Sequence, residues 1–274
     1  LWVSTYYRGI EYLNINNGQF THYNKSTVPS LPSNQTWTVL DGGDNNLYIG
    51  HVGSGFSIFS LKDKSVKNFQ NEMGNPASLP GNDVFCIIKD ANGNIWLGTN
   101  NGLALYNAAN ENFITFRNNK NDKYATLCSR ILSIRQLKDN RLWIASELNG
   151  IAILNLKQGM FLSPEELSIE YIQEGDDSRS LSNASARCIF QDSFDNIWIG
   201  TWGGGINFIS SKPPLFTTLS YSPIPNNENS LNNKVADKDG FGSEQMEEVL
   251  MYLKERNVLL FIEKRVETFL RILY

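Results

Sequence analysis

The chain has 274 residues and a formal net charge of −4, which gives no electrostatic reason to expect nucleic acid or an anionic membrane as a partner. Charged residues at 19% and aromatics at 12% are ordinary for a folded, strand-rich protein. Three cysteines, Cys86, Cys128 and Cys188, do not make a disulfide framework. Cys86 and Cys188 stand in the apolar runs VFCII and RCIF, where they are expected to be small buried hydrophobes. No apolar run is long enough for a membrane-spanning helix, and no signal peptide precedes Leu1. The cysteine count fits a reducing compartment and equally a bacterial envelope protein that needs no bridges.

The chain opens in the middle of a repeat, at LWVST, so Leu1 is not expected to be the natural start. One aromatic column runs through the sequence, with Trp2, Tyr48, Trp96, Trp143 and Trp198 at intervals of 46, 48, 47 and 55 residues. A glycine follows each six or seven residues later: Gly9, Gly55, Gly102, Gly150 and Gly205. Self-similarity at this period is the mark of a β-propeller.

Taken in order, residues 1–24 supply strands B to D of a first blade that lacks strand A. The second blade runs from TWTVL through the DGGDNN turn to LYIGH and FSIFS. The third is the most complete: VFCIIK is strand A, DANGN a hairpin turn with Gly93 able to take positive φ, IWLGT strand B, LALYN strand C and FITFR strand D. The fourth uses ILSIRQL, KDNR, LWIAS and IAILN, with an enlarged C–D turn around Pro164–Leu167. The fifth uses ARCIF, DSFDN, IWIGT and INFIS, then breaks at Pro213–Pro214 before FTTLSY. Trp96, Trp143 and Trp198 are assigned to packing between blades. Leu31, Leu79 and Leu181, in SLPSN, SLPGN and SLSNA, are assigned as plugs between them.

These segments reach a family. The runs DANGNIWLGTNNGLALYN and DSFDNIWIGTWGGGINF, with SLPGNDV and SLNNKV ahead of strand A, resemble the regulator-type propeller repeats in the periplasmic sensor region of hybrid two-component regulators. LYIGHVGSGF and LWIASELNGI depart from the pattern, losing Trp and Gly-Thr respectively. The resemblance covers residues 1 to about 240. It implies an envelope-spanning parent with propellers outside and histidine kinase and response-regulator parts inside, an oligosaccharide or glycan-derived ligand, and action as a dimer. It also implies a ring of about seven blades. No kinase, receiver or DNA-binding segment is present in this sequence.

The fold expected is therefore all-β: a β-propeller fragment of about five four-stranded antiparallel blades over residues 1–236, followed by a non-native tail, helical or disordered, over 237–274. Two explanations of that tail compete. Read literally, Gly242–Tyr274 is an amphipathic helix, with Met246, Val249, Leu250 and Leu253 at helical spacing. Alternatively, residues from about Phe241 are a frame-shifted translation of a sixth blade. With the reading frame moved by one base, permitted codons for Gly240–Tyr252 spell I-W-F-G-T-D-G-G-G-I-N-V, the blade motif, about 45 residues after Trp198.

Chemistry is sparse. His22 and His51 are the two histidines, and no cluster has metal-ligand spacing. There is no G-x-S-x-G elbow. DANGN and DKDG lack the closing glutamate of a calcium loop, and the Gly203–Gly205 run is a β corner rather than a phosphate loop. No catalytic residue, metal or cofactor is assigned, and the chain is expected not to be an enzyme.

Binding remains. In propellers the B–C and D–A loops share one face, and loops on a rigid scaffold carry recognition. The candidate ligand-binding residues on the B–C loops are Tyr6, Tyr7, Arg8, His51, Asn100, Asn101, Glu147 and Trp202, with Asn149 beside them. Aromatics next to amides and charges suit stacking on, and hydrogen bonding to, a carbohydrate. A propeller lyase or hydrolase acting on sugars and a protein-interaction scaffold are the alternatives. The frame-shift explanation has a direct test: the gene's nucleotide sequence, read one base out of register across Gly240–Tyr252, gives the motif if it is right and an unrelated string if it is wrong.

Overall fold

The structure, a computed structural model, describes residues 1–27, 29–43, 45–116, 124–156, 168–177 and 179–212. Beyond these it describes the backbone of Ser220–Tyr221, Ser230–Leu231, Leu259–Ile262 and Leu270–Leu273. The chain divides into two units, Leu1–Ile209 and Ser210–Tyr274.

The first unit is five consecutive antiparallel sheets in chain order. Blade one is β1 (Trp2–Thr5), β2 (Gly9–Asn14) and β3 (Gln19–Tyr23). Blade two is β4 (Thr36–Gly43), β5 (Asn46–His51), β6 (Phe56–Ser60) and β7 (Val66–Phe69). Blade three is β8 (Val84–Lys89), β9 (Ile95–Thr99), β10 (Gly102–Asn107) and β11 (Asn112–Thr115). Blade four is β12 (Ile131–Gln136), β13 (Arg141–Ser146), β14 (Ile151–Asn155) and β15 (Ile169–Ile172). Blade five is β16 (Ala186–Gln191), β17 (Ile197–Thr201) and β18 (Gly205–Ile209). Within each sheet every strand pairs with the next in sequence.

Four apolar layers hold the blades together, one at each junction. Between blades one and two lie Trp2, Ile10, Leu31, Leu47, Ile49 and Phe59. Between two and three, Tyr48 packs with Phe56, Leu79, Val84 and Ile87. Between three and four, Trp96 packs with Leu127, Ile131 and Ile134. Between four and five, Trp143 packs with Leu181, Ala186 and Ile189. The column aromatic of each blade thus faces the blade that follows, and the leucine of each D–A connection seals the same seam. Leu31, Leu79 and Leu181 are buried as expected, and Leu127 fills the remaining seam, between blades three and four.

The turn ahead of the tryptophan explains its own sequence. Asp90 Oδ1 accepts from the Asn92 and Asn94 amides at 2.9 Å, while Oδ2 takes the Asn94 side chain at 2.8 Å and Trp96 Nε1 at 2.9 Å. Asp192 repeats this around Asn196 and Trp198. The Trp198 indole N–H is the leading cause holding the Asp192 carboxyl below its usual range. In blade four the equivalent position is Leu137, and Trp143 Nε1 has no acceptor among the described residues.

Glycines close the B–C corners because nothing larger fits. Gly9 has φ +84°, and a Cβ there would lie 2.2 Å from Tyr23 O; at Gly150 (φ +66°) it would lie 2.3 Å from Ile172 O. The corner amides then reach across to the D–A connection, Gly9 N donating to Asn34 O and Gly150 N to Ala184 O, each at 2.8 Å. The two loop types therefore do share one face.

Three expectations are corrected or left untested. Trp198 is 39% exposed, against 3% for Trp96 and Trp143, because it points toward the position of a next blade, and the described residues supply none. Cys188 is exposed for the same reason: its counterpart Cys86 packs against blade four, where burial pushes the thiol up to about 12. The amphipathic helix of the literal reading of Gly242–Tyr274 is not what the described part of the tail forms. Leu259–Ile262 and Leu270–Leu273 pair as antiparallel strands, which their apolar, partly β-branched sequences favour. Met246, Val249, Leu250 and Leu253 lie outside the described residues, as does the enlarged turn at 164–167. Of FTTLSY, only Ser220–Tyr221 is described, and it pairs in parallel with Ser230–Leu231.

The wedge assignment predicts a ranking of substitutions, read from urea unfolding of the full chain. Trp96→Ala costs about 3–5 kcal/mol, and Asp90→Ala, which strands the buried indole N–H, about 1–3 kcal/mol. Trp198→Ala costs less than half as much as Trp96→Ala; equal losses would contradict the exposure difference.

Candidate functional site

Strand A carries the same irregularity in blades two to five. One residue is inserted against strand B between Thr36 and Thr38, Val84 and Cys86, Ile131 and Ser133, and Ala186 and Cys188. The extra residues are Trp37, Phe85, Leu132 and Arg187. A β-bulge re-aims its side chain, and bulges gather where a sheet presents function. The strand-B residue opposite is small: a Cβ at Gly98 would lie 2.5 Å from Cys86 Sγ and 2.7 Å from Ile131. The Gly of the W-x-G-T pattern is thus required by the bulge and the next blade together.

The hydroxyl that follows this glycine shapes the corner. Thr99 Oγ1 donates to Gly102 O at 2.7 Å and accepts from Asn101 N at 3.1 Å. Thr5, Ser146 and Thr201 bond the equivalent glycine carbonyls. His51 stands in this column in blade two. It is fully buried, with Nε2 at 2.8 Å from Ser57 Oγ and Ser57 in turn donating to Asn68 Oδ1 at 2.9 Å. Its alignment with Thr5, Thr99, Ser146 and Thr201 was the available signal that it points inward, so it offers nothing to the loop face.

The remaining candidates separate into two groups. Asn100 and Asn101 are exposed but engaged in the loops: Asn100 Oδ1 accepts from Asp83 N at 3.2 Å, and Asn101 Nδ2 donates to Pro80 O at 3.0 Å. Asn149 N donates to Ser146 Oγ at 3.0 Å and its side chain bonds Ser129 Oγ. Arg8 is exposed, and its amide closes the corner on Thr5 Oγ1. Tyr6, Tyr7, Glu147 and Trp202 instead join a single track.

That track crosses all five blades. The Tyr7 and Tyr6 rings meet at 4.8 Å, edge to face. Tyr6 lies 6.3 Å from Trp37, and Trp37 lies 5.6 Å from Phe85. The Arg130 guanidinium sits over Phe85 at 5.6 Å. Arg130 Nη1 forms an ion pair with Glu147 Oε2 at 3.0 Å, and Arg187 Nη2 donates to Glu147 Oε1 at 3.2 Å. Arg187 lies over the Trp202 indole at 4.6 Å. Tyr7, Trp37 and Trp202 are 76%, 50% and 68% exposed. Sequence reasoning missed Trp37, Phe85, Arg130 and Arg187, because three of them lie within strand A and Arg130 just ahead of it, where an apolar run reads as core.

The pattern of rings and guanidiniums is one that stacks on apolar faces and donates hydrogen bonds at their edges. Both Glu147 oxygens are committed to arginines, so this carboxylate positions cations rather than standing free for proton transfer.

Comparison with known proteins agrees with the repeat grammar. Residues 78–101 and 180–203 match the two component regulator propeller family. The extracellular domain of a hybrid two-component system from B. thetaiotaomicron is 59% identical, with a TM-score of 0.66 over 88% of this chain and 29% of that one. A second such domain from the same organism, 18% identical with a TM-score of 0.59 over 79% of this chain and 27% of that one, shares the fold. A histidine kinase from Formosa agariphila is 32% identical over 92 residues, 32% of this chain and 7% of its own length. The chain spans less than a third of each relative.

Burial holds the His51 imidazole down at about 4, below its unfolded value of about 6.5. The unfolded chain therefore binds the proton more readily between these values, and the stability His51 contributes is present above pH 6.5 and lost as pH falls toward 4, by up to about 3 kcal/mol. Urea midpoints measured across this range should fall less steeply for His51→Thr, which restores the column hydroxyl and removes the titration; an unchanged slope would place the sensitivity elsewhere. With the strands, seams and repeats in agreement, the chain carries two-component regulator propeller repeats at residues 78–101 and 180–203 and resembles the extracellular domains of hybrid two-component systems.

Proposed function

We propose that these blades are part of the ligand-sensing, extracytoplasmic region of a hybrid two-component histidine kinase and response regulator, and that the ligand is an oligosaccharide held along the loop-face track. The observation that carries this is the run Tyr7–Tyr6–Trp37–Phe85, four rings from three blades in mutual contact on a face that also exposes amides and guanidiniums. Sugar rings present flat C–H faces that stack on such platforms, and their hydroxyls take hydrogen bonds at the rim. The likeness to extracellular domains of hybrid two-component systems supports the sensor role. A homodimer formed through the parent receptor is the proposed signalling partner arrangement, and an envelope location, periplasmic in a Gram-negative cell, follows from that role.

We place no catalysis here. Glu147, the carboxylate built into the track, is paired on both oxygens, and turnover would need an acid and a base with free reach to the substrate.

Tryptophan fluorescence of the full chain titrated with oligosaccharide pools should report saturable binding, with Trp37 and Trp202 as the reporters. Trp37→Ala should weaken it by about tenfold or more, the loss typical of a buried stacking contact. Unchanged affinity in Trp37→Ala would remove the track as the site, and release of shortened sugar products would overturn the non-enzymatic assignment.

A further inference from the structure

The blade-five end of the track differs chemically from the blade-one end. Tyr6, Tyr7 and Trp37 are neutral platforms. Past Phe85 the track becomes Arg130, Glu147, Arg187 and Trp202, with two positive groups and one negative. The adjoining D–A connection carries Glu174, Asp176 and Asp177; Glu174 Oε2 accepts from the Ala184 amide at 2.8 Å, and Asp177 Oδ1 accepts from the Arg179 amide and the Ser180 hydroxyl, each at 2.8 Å.

Each arginine has five N–H donors in a planar fork. Among the described residues Arg187 makes one hydrogen bond, to Glu147, Arg130 forms an ion pair with the same carboxylate, and Arg187 Nε is buried without a partner. Both are also held in place from a second side, Arg130 over Phe85 and Arg187 over Trp202. The Glu147 carboxylate therefore acts as a spacer: it fixes two guanidiniums side by side, cancels one charge and leaves the other with its donors unspent. An ammonium could not be fixed in this way, since it lacks both the plane that stacks and the fork that bridges.

Building on the oligosaccharide proposal above, we infer that this end of the track is a subsite for an anionic sugar unit, with Arg130 and Arg187 binding its carboxylate or sulfate and Trp202 presenting its exposed indole to the pyranose. Carboxylates and sulfates both match a guanidinium fork bidentately. The neutral platforms from Tyr7 to Phe85 take the neighbouring sugars. Selectivity for charged over neutral glycans then resides in blades four and five, and sugar stacking in blades one to three.

Isothermal titration of the full chain separates the possibilities. The probes are an oligogalacturonide, a sulfated disaccharide and a neutral oligosaccharide of matching length. The variants are Arg130→Gln, Arg187→Gln and Arg187→Lys, each checked by circular dichroism, with Arg141→Gln, in the turn before β13, as a control. Tight binding of a charged probe that weakens with added salt, and that each Gln variant reduces about tenfold or more, is the expected result. Arg187→Lys should fail to rescue it, and Arg141→Gln should leave it intact. Preference for the uronate or for the sulfate names the source of the charge. If the neutral oligosaccharide binds as tightly as the charged ones and the Gln variants match the parent chain, the anionic subsite is wrong and the oligosaccharide proposal stands. If no glycan binds at all, both fall.

Discussion

The molecule depends on one contact repeated at each seam: a large flat side chain on strand B of one blade pressed against the first strand of the next. Trp96 shows how it is made. The indole is buried among residues of blades three and four, and its N–H, which would otherwise be stranded in an apolar layer, is taken by Asp90 from the preceding turn. The same carboxylate gathers the amides of that turn. A single aspartate thus fixes the hairpin and satisfies the wedge, which couples the local turn to packing between sheets. Because each blade offers its aromatic to its successor, stability propagates along the chain by nearest-neighbour contacts, as in other repeat proteins.

The direction of the wedge has consequences at the far end of the described blades. Trp198 keeps its hydrogen bond to Asp192 but presents its indole, with Phe190, Ile206 and Phe208, to solvent. The turn chemistry is therefore intrinsic to the repeat, while burial belongs to the seam. Blade four makes the complementary point: Leu137 in place of the aspartate leaves Trp143 without its acceptor, yet the side chain is as buried as Trp96. Packing places the wedge, and the hydrogen bond only removes a penalty.

Display on the loop face uses a different device. The inserted residue at the start of strand A turns one side chain per blade out of the seam, and in blades two, three and five that residue is Trp37, Phe85 or Arg187. Scaffold and display are thereby separated within a single strand. The seams tolerate little change, whereas the bulged position can carry a ring, an alkyl chain or a guanidinium without disturbing them.

The blade grammar was legible because it repeats in phase: IWLGT, IAILN and IWIGT emerge as strands with the bounds their sequences suggest. Tyr6, Tyr7, Glu147 and Trp202 were legible as loop residues. Trp37 and Phe85 were not, since a bulge leaves no mark in an apolar run, and a residue of strand A reads as core by default. His51 was misplaced because it follows Gly50 at a corner, where only comparison with the threonine column shows that the side chain turns inward. Cys188 and Trp198 were assigned by analogy with equivalents whose burial depends on a following blade.

The separation of wedge and display can be measured in one spectrum. The chain has six tryptophans, and 5-fluorotryptophan labelling gives each a fluorine resonance whose solvent isotope shift reports exposure. Trp96 and Trp143 should show almost no shift, Trp198 a partial one, and Trp37 and Trp202 large ones, with only Trp37 and Trp202 moving when a glycan is added. Large isotope shifts at Trp96 and Trp143, or a glycan response at them in place of the rim pair, would contradict both the seams and the site.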